Sequence, residues 1–193
     1  MIVRDLEYNF EPDPQHSAGR SSGLHLGQCI QAYGVQAGLL KVTTNDSGKW
    51  LQFEKGFLWE EFFSAVWGER MASRSDNLLM SQVEMERDGI FMTPDAVDFD
   101  DQILWEFKST TKSMAKFDQL EVHFALWLMQ IKGYLYGLGM NRCNLIVLFL
   151  CGDYKPPFPH IKAKQLEFTD RELVENWAIV QNYARWIRNG GGK

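Results

Sequence analysis

Two carboxylates and a lysine lie close together in residues 93–108, whose sequence is TPDAVDFDDQILWEFK. Asp95 follows a proline, while Glu106 and Lys108 are separated by one residue within an apolar run. Side chains alternate faces along a strand, so Glu106 and Lys108 would point the same way, with Cα atoms roughly 6.6 Å apart. A short hairpin would bring Asp95 beside them. Because charged groups among apolar residues need partners or a metal, this cluster predicts a site for a hard divalent cation.

The composition predicts a folded protein with one domain. Of 193 residues, 45% are hydrophobic and 13% aromatic, which is enough to form a core. Residues 1–22 contain prolines, glycines and serines without periodicity, so we expect a flexible N-terminal arm before a single domain over residues 23–193. The longest apolar run, residues 145–151, is far shorter than a membrane span, and the N-terminus has no apolar signal region. We therefore expect no membrane association and a cytoplasmic protein.

Charge and cysteine usage narrow the classes of site. The net charge of −5 disfavours phosphate binding over the whole surface, so contact with nucleic acid would need a local basic patch. The three cysteines lack C-x-x-C spacing, which argues against a disulfide scaffold and against a four-thiolate zinc or iron–sulfur centre. Cys143, Cys151 and His160 could in principle supply three zinc ligands. The strand context of two of them favours ordinary packing instead.

Helical patterns occur in four segments, and two of them begin with a capping-box sequence. Asp118 with Glu121, and Thr169 with Glu172, match the pattern in which two side chains satisfy the first backbone N–H groups of a helix. The four predicted helices cover residues 24–36, 55–71, 118–136 and 169–188.

Extended segments lie between these helices. Asp88-Gly89 predicts a tight hairpin turn, and Asp100-Asp101 predicts a second turn. Residues 145–151 and 161–168 form two further predicted strands. The order of helix, strands, long helix, two strands and helix predicts an α/β fold, with helices flanking a mixed central β-sheet.

Three further features bear on the charge cluster. Gln130 and Tyr134 are spaced i, i+4 on a predicted helix and so share a face. Glu60, four residues after a glycine, places a carboxylate on an otherwise apolar helix, although a solvated helix face would explain it equally well. Asp153 and Lys155 repeat the acid-x-Lys spacing, but two prolines follow them, so we interpret this pair as a solvated turn.

Taken in chain order, these motifs resemble those of the PD-(D/E)xK nuclease superfamily, and within it the RecB-like exonuclease branch. That branch has Gly-x-x-x-His or Gly-x-x-x-Glu, then Pro-Asp, then Asp/Glu-x-Lys, then Gln-x-x-x-Tyr. This chain offers GFLWE, TPD, EFK and QIKGY within residues 56–136. The resemblance implies a restriction-endonuclease-like core. Glu60 stands where many RecB-like members have histidine, and the four-cysteine set of some relatives is absent, so no iron–sulfur cluster is expected.

The resemblance also implies roles for the site residues. Asp95, Glu106 and Lys108 would be catalytic, and Glu60, Asp95 and Glu106 would hold one or two Mg²⁺ or Mn²⁺ ions. Lys108 would position or polarise the attacking water. Substrate contacts would come from four further residues: Gln130, Tyr134, Lys112 and Lys116. The two lysines could instead belong to an ordinary solvated loop.

The function that follows is a metal-dependent deoxyribonuclease. RecB-like members are often exonucleases of recombination, repair or phage and mobile-element DNA processing. A restriction-like or structure-specific endonuclease is the alternative enzyme, and a catalytically inactive nucleic-acid-binding protein is the alternative without chemistry. The expected partner is DNA, either single- or double-stranded, with a homo-oligomer or a helper DNA-binding protein also compatible with the acidic net charge.

Overall fold

The computed structural model describes residues 21–41, 58–59, 62, 78–80, 84–156 and 158–191. Nearly all of the predicted N-terminal arm, residues 1–22, lies outside these ranges, as does Glu60. In the described part of the chain, no helix has both the length and the apolar character that crossing a membrane requires.

The described residues form eight strands, which are β1 (Leu24–His25), β2 (Leu78–Met80), β3 (Met85–Arg87), β4 (Ile90–Met92), β5 (Ala96–Asp98), β6 (Ile103–Thr110), β7 (Arg142–Phe149) and β8 (His160–Glu167). These strands form two sheets. The smaller sheet joins β1 to β4 in parallel and β4 to β3 in antiparallel orientation, in the order β1-β4-β3. The central sheet has the order β2-β5-β6-β7-β8 and is mixed, because β6 and β7 are parallel while its other pairs are antiparallel.

Both predicted turns are present. Asp88 and Gly89 have φ values of 55° and 72°, the positive values that a two-residue hairpin turn between β3 and β4 requires. Between β5 and β6, the carboxylate of Asp98 accepts hydrogen bonds from the backbone N–H groups of Asp100 and Asp101, both at 3.0 Å. The turn residues predicted from the sequence thus connect these paired strands.

Four helices complete the described fold: α1 (Leu26–Gln36), α2 (Leu120–His123), α3 (Ala125–Leu138) and α4 (Asp170–Arg188). A 3-10 helix, Met114–Asp118, precedes α2. Of the helix predicted over residues 55–71, the described residues 58, 59 and 62 are helical.

The helix predicted from Asp118 to Tyr136 is wrong at its beginning. Asp118 ends the 3-10 helix, and non-helical backbone at Gln119 and Phe124 separates that turn from α2 and α2 from α3. The predicted cap does not form, because the Asp118 carboxylate accepts a hydrogen bond from Lys164 on β8 at 3.1 Å instead. At its other end, α3 stops at Gly139, whose φ of 70° is the left-handed conformation that ends helices.

The capping box at Thr169 is confirmed. Its hydroxyl accepts a hydrogen bond from the Glu172 N–H at 3.3 Å, and its own N–H donates to the Glu172 carboxylate at 2.9 Å. The helix that begins there buries Leu173, Trp177 and Val180. α4 also fixes the tip of the β3–β4 hairpin, since the Trp177 indole donates to the Asp88 carboxylate at 2.8 Å.

The core divides into two layers, one on each face of the central sheet. On one face, Leu145 and Val147 of β7 pack in a cluster with α1, α3 and α4. On the other face, Ile146 and Leu148 pack with Trp59. This alternation is what a strand covered on both faces requires. The predicted α/β class, a mixed central β-sheet flanked by helices, is confirmed.

Candidate active site

Asp95, Glu106 and Lys108 come together on the face of the central sheet that carries α3. Ala96 pairs with Trp105 across β5 and β6, so Asp95, one residue earlier, lies opposite Glu106. Its carboxylate accepts a hydrogen bond from the Phe107 backbone N–H at 2.8 Å. Glu106 and Lys108 are two residues apart on β6 and share a face. The hairpin read from the sequence therefore produces the predicted convergence.

Burial makes the charges of these residues depend on one another. Glu106 is 0% exposed and Lys108 is 18% exposed, and the Lys108 Nζ lies 2.5 Å from the Glu106 Oε1. Burial alone would lower the pKa of Lys108, but the carboxylates of Glu106 and Asp95 outweigh it and raise that pKa above its usual value. Burial raises the pKa of Asp95, while the Lys108 charge and the Phe107 N–H oppose that rise. Lys108 is accordingly a cation at neutral pH.

Gln130 and Tyr134 of α3 lie beside this cluster. The Gln130 side chain donates a hydrogen bond to the Tyr134 hydroxyl at 2.7 Å, and Tyr134 is only 5% exposed. Burial, followed by the negative charge of Glu106, raises the pKa of Tyr134, so the phenol stays protonated. The helix face predicted from the i, i+4 spacing therefore carries a neutral hydroxyl next to the charged residues.

Lys112 and Lys116 lie in the segment that follows β6, and both are exposed. The Lys112 ammonium donates to the backbone carbonyl of His123 at 2.5 Å and lies 4.8 Å from the centre of the Phe124 ring. Partial burial, and then the charge of Lys116, lower the pKa of Lys112. The two lysines are thus close enough to repel each other.

The donor set at this site fits a hard divalent cation. Asp95 and Glu106 offer carboxylate oxygens, the ligands that Mg²⁺ and Mn²⁺ prefer, and these two carboxyl groups outnumber the single ammonium of Lys108. Within the described residues, no group of three or more His, Cys, Asp or Glu side chains is arranged to hold a metal ion. The third carboxylate that the family resemblance implies, Glu60, lies outside those residues.

The zinc site considered from the sequence does not form, because Cys143 and His160 lie far apart. Cys143 pairs with Leu166 near one end of the β7–β8 ladder, whereas His160 pairs with Phe149 at the other end. Six residues of strand separate these positions, which is roughly 20 Å. Cys143 is 0% exposed, and burial, followed by the charges of the site carboxylates, raises its pKa. This thiol therefore packs in the core beneath the candidate site.

One contact to the site was missed in the sequence. The Trp59 indole donates a hydrogen bond to the backbone carbonyl of Lys108 at 3.1 Å, and its ring packs with Phe107 on the face opposite α3. A buried indole N–H normally requires an acceptor, and Trp59 is adjacent to the motif residue Glu60 in the sequence. Those two facts could have indicated the contact from the sequence. The contact joins the helical segment at Trp59 to β6.

Comparison with known proteins identifies solved structures that have a similar fold. No protein-family model matches the sequence, and no curated protein matches it significantly. Among solved structures, the alkaline exonuclease LHK-Exo from Laribacter hongkongensis matches in its complex with dAMP, with a TM-score of 0.55, 13% identity, and coverage of 87% of this chain and 89% of that one. The phage-related exonuclease from Haemophilus somnus 129PT matches with a TM-score of 0.52, 14% identity, and coverage of 85% and 82%.

At these identities the likeness establishes the fold. The motifs GFLWE, TPD, EFK and QIKGY predicted that fold from the sequence, and the paired strands and covering helix now described place the last three of them around one point. The predicted restriction-endonuclease-like fold is confirmed, because the chain has the fold of these exonucleases.

Proposed function

We propose that the protein is a divalent-metal-dependent DNA exonuclease that hydrolyses phosphodiester bonds. The observation that carries the proposal is the convergence of Asp95, Glu106 and Lys108 on one face of the central sheet, beside Tyr134. The two similar proteins described above are exonucleases, one of them solved in complex with dAMP, and this supports an activity of the same class. The cellular role that suits it is recombination, repair or the processing of phage or mobile-element DNA.

Asp95 and Glu106 are the residues that would hold the metal, with Glu60 and a backbone carbonyl beside Glu106 as further ligands. When bound, Mg²⁺ or Mn²⁺ lowers the pKa of a water molecule and neutralises negative charge on the phosphate that reacts. Two carboxyl groups beside one ammonium, that of Lys108, favour such a cation.

Lys108 and α3 supply the rest of the site. The Lys108 ammonium, which the two carboxylates keep protonated, would position the attacking water and stabilise the charge that develops on the phosphate. Tyr134 accepts a hydrogen bond from Gln130 and can still donate its own hydroxyl hydrogen to a phosphate oxygen. Lys112 and Lys116, immediately after β6, would contact the DNA backbone.

The proposal is tested with end-labelled linear DNA and closed circular DNA, each incubated with the protein in Mg²⁺, in Mn²⁺ and in EDTA. We expect metal-dependent loss of the linear DNA only. Lys108→Ala and Glu106→Gln should each lower the rate by at least about 100-fold, because the first removes the cation that would stabilise charge on the phosphate and the second removes a carboxylate that would hold the metal. Arg171→Ala changes an exposed ion pair on α4 and is the matched control for loss of one positive charge.

The outcomes separate the alternatives. Wild-type rates in Lys108→Ala would overturn the mechanism, provided that the variant is folded by circular dichroism. Cutting of closed circles would identify an endonuclease instead. Loss of neither substrate, with DNA binding retained, would identify an inactive nucleic-acid-binding protein.

A further inference from the structure

An exposed aromatic residue stands beside the candidate active site, at the edge where β6 and β7 end. Tyr154 lies in the turn after β7 and is 65% exposed, although aromatic rings usually contribute to the core. Phe158, farther along the same loop, is 53% exposed. The loop therefore presents apolar rings to solvent next to the charged site.

Contacts to the segment after β6 hold Tyr154 in place. Its hydroxyl donates a hydrogen bond to the Thr111 carbonyl at 3.0 Å. The Met114 N–H donates to the Gly152 carbonyl at 3.0 Å, and the Ser113 hydroxyl donates to the Asp153 carboxylate. These bonds join the two loops, so the ring is fixed before any ligand arrives.

The backbone at Tyr154 is strained, with a φ of 61°. The left-handed conformation is unfavourable for a residue with a Cβ atom and is usually occupied by glycine or asparagine. Preorganised presentation of the ring to a ligand is a physical reason for the arrangement.

The ring lies near the reacting residues. Thr111, to which the Tyr154 hydroxyl is bonded, lies directly after the end of β6 and three residues after Lys108, a span of at most roughly 10 Å. A nucleic-acid strand whose phosphate reached Lys108 would therefore pass the ring within a few nucleotides.

The surroundings of the ring are positively charged, in a chain whose net charge is −5. Lys112, Lys116 and Lys155 are exposed on these two loops. Of the two acidic residues nearby, Asp118 is paired with the Lys164 ammonium, whereas Asp153 accepts from the neutral Ser113 hydroxyl and keeps its charge, so the three lysines still exceed the unpaired acid. Exposed lysines beside an exposed ring complement a polymer that has both phosphates and aromatic bases.

We propose that Tyr154 is a base-stacking residue and that its loop binds a single-stranded stretch of nucleic acid leading to the candidate active site. The inference rests on the proposed function and deepens it by naming the substrate class, a strand with unpaired bases. In a duplex, neighbouring base pairs cover both faces of each base, whereas an unpaired base can stack on a protein ring. Such stacking is tolerant of sequence, so the loop would contact the strand without reading it.

The test measures binding by fluorescence anisotropy in EDTA, which prevents metal-dependent cleavage. The probes are a labelled single-stranded oligodeoxynucleotide, the same backbone with abasic positions, and a duplex. We expect Tyr154→Ala to weaken binding of the normal single strand by roughly 5- to 150-fold and to leave binding of the abasic strand nearly unchanged.

Three variants separate stacking from structure. Tyr154→Phe keeps the ring and loses the bond to Thr111, so it should retain most of the affinity. Tyr154→Asn removes the ring but suits the left-handed backbone, so it should bind as weakly as Tyr154→Ala. Trp186→Ala removes an aromatic residue of α4 that is 38% exposed and should leave binding unchanged.

Equal losses on the normal and abasic strands, or no loss on either, would overturn the stacking role. Duplex binding that falls as much as single-strand binding in Tyr154→Ala would overturn the substrate class. Because these measurements need no hydrolysis, they are independent of the nuclease test. Ring-dependent binding in a protein without activity would leave this inference standing while the proposed function failed.

Discussion

Lys108 and Glu106 are a buried ion pair, and each makes the burial of the other tolerable. Glu106 has no exposed surface and lies 2.5 Å from the Lys108 ammonium. Removing one partner of such a pair leaves a buried charge without compensation, whereas removing both is far less costly. The residues proposed for the chemistry are therefore also residues on which the fold depends.

We predict that Lys108→Ala lowers the free energy of unfolding of the metal-free protein by about 3–5 kcal/mol, because Glu106 then remains buried without its cation. The double variant Lys108→Met with Glu106→Gln should recover most of that loss. Urea unfolding at neutral pH in EDTA measures both. Additive losses in the double variant would show that the two side chains do not compensate each other.

The direction of the Lys108 pKa shift fixes the pH dependence of this contribution. Its folded pKa lies above the unfolded value of about 10.4, so the stabilisation is complete below that pH and declines as the pH rises beyond it. The titration of Lys108 should consequently contribute no pH dependence to the stability of the wild-type protein between about pH 6 and pH 9.

Side-chain alternation and a hairpin were enough to predict the meeting of Asp95, Glu106 and Lys108. The same sequence could not predict the bonds from Trp59 to Lys108 or from Tyr154 to Thr111. Those bonds join side chains to backbone carbonyls 49 and 43 residues away. Such partners follow from the assembled tertiary structure and have no local pattern.

The two predicted capping boxes show what decides the beginning of a helix. Thr169 caps α4, whereas Asp118, with the same spacing to a glutamate, instead accepts a hydrogen bond from Lys164, which is 46 residues away. Phe117, one residue earlier, is 1% exposed and packs against Phe149. Local pattern predicts a cap only where tertiary packing does not already fix the chain.

Thr169→Ala should lower the free energy of unfolding by about 0.5–2 kcal/mol, because the Glu172 N–H loses its acceptor at the start of a 19-residue helix. Thr169→Ser keeps the hydroxyl and should cost much less. Asp118→Ala, at a solvent-exposed pair, should also cost less than Thr169→Ala. Thermal or urea unfolding of the three variants gives the ranking, and an equal cost for Thr169→Ala and Thr169→Ser would contradict the cap.

The pKa of Glu172 also indicates that the capping box at Thr169 stabilises the fold. Hydrogen bonds from the Thr169 N–H and hydroxyl lower it, so the carboxylate stabilises the fold above its unfolded pKa. That contribution is lost as the pH falls through the folded value.

At the scale of the molecule, the sequence predicted the layers but not the order of the strands. A mixed sheet between helices follows from the alternation of segment types. The parallel pairing of β6 with β7 requires α3 to cross between them, and β1 joins β4 by pairing Leu24 with Ile90, 66 residues later in the sequence. Those pairings depend on which apolar faces meet, which periodicity alone does not specify.

Net charge and local charge have opposite signs in this molecule. If Lys112, Lys116 and Lys155 neutralise about three phosphates of a single strand, the logarithm of the binding constant should fall with the logarithm of salt concentration with a slope of about −2. Lys116→Ala should reduce the steepness of that slope by about 0.7, and Arg171→Ala should not change it. Anisotropy titrations over a range of salt concentrations measure the slopes, and an unchanged slope in Lys116→Ala would exclude that contact.

Asp95 stands where β5 has not yet begun, and its carboxylate accepts the Phe107 N–H that a further strand residue would otherwise bind. The side chain thus extends the pairing of β5 with β6 by one hydrogen bond and also contributes to the candidate site. Asparagine could still accept that N–H through its amide oxygen while having no charge to offer a metal, whereas alanine would lose both. A single Asp95→Asn substitution would therefore remove the charge of a candidate metal ligand while the strands remain paired.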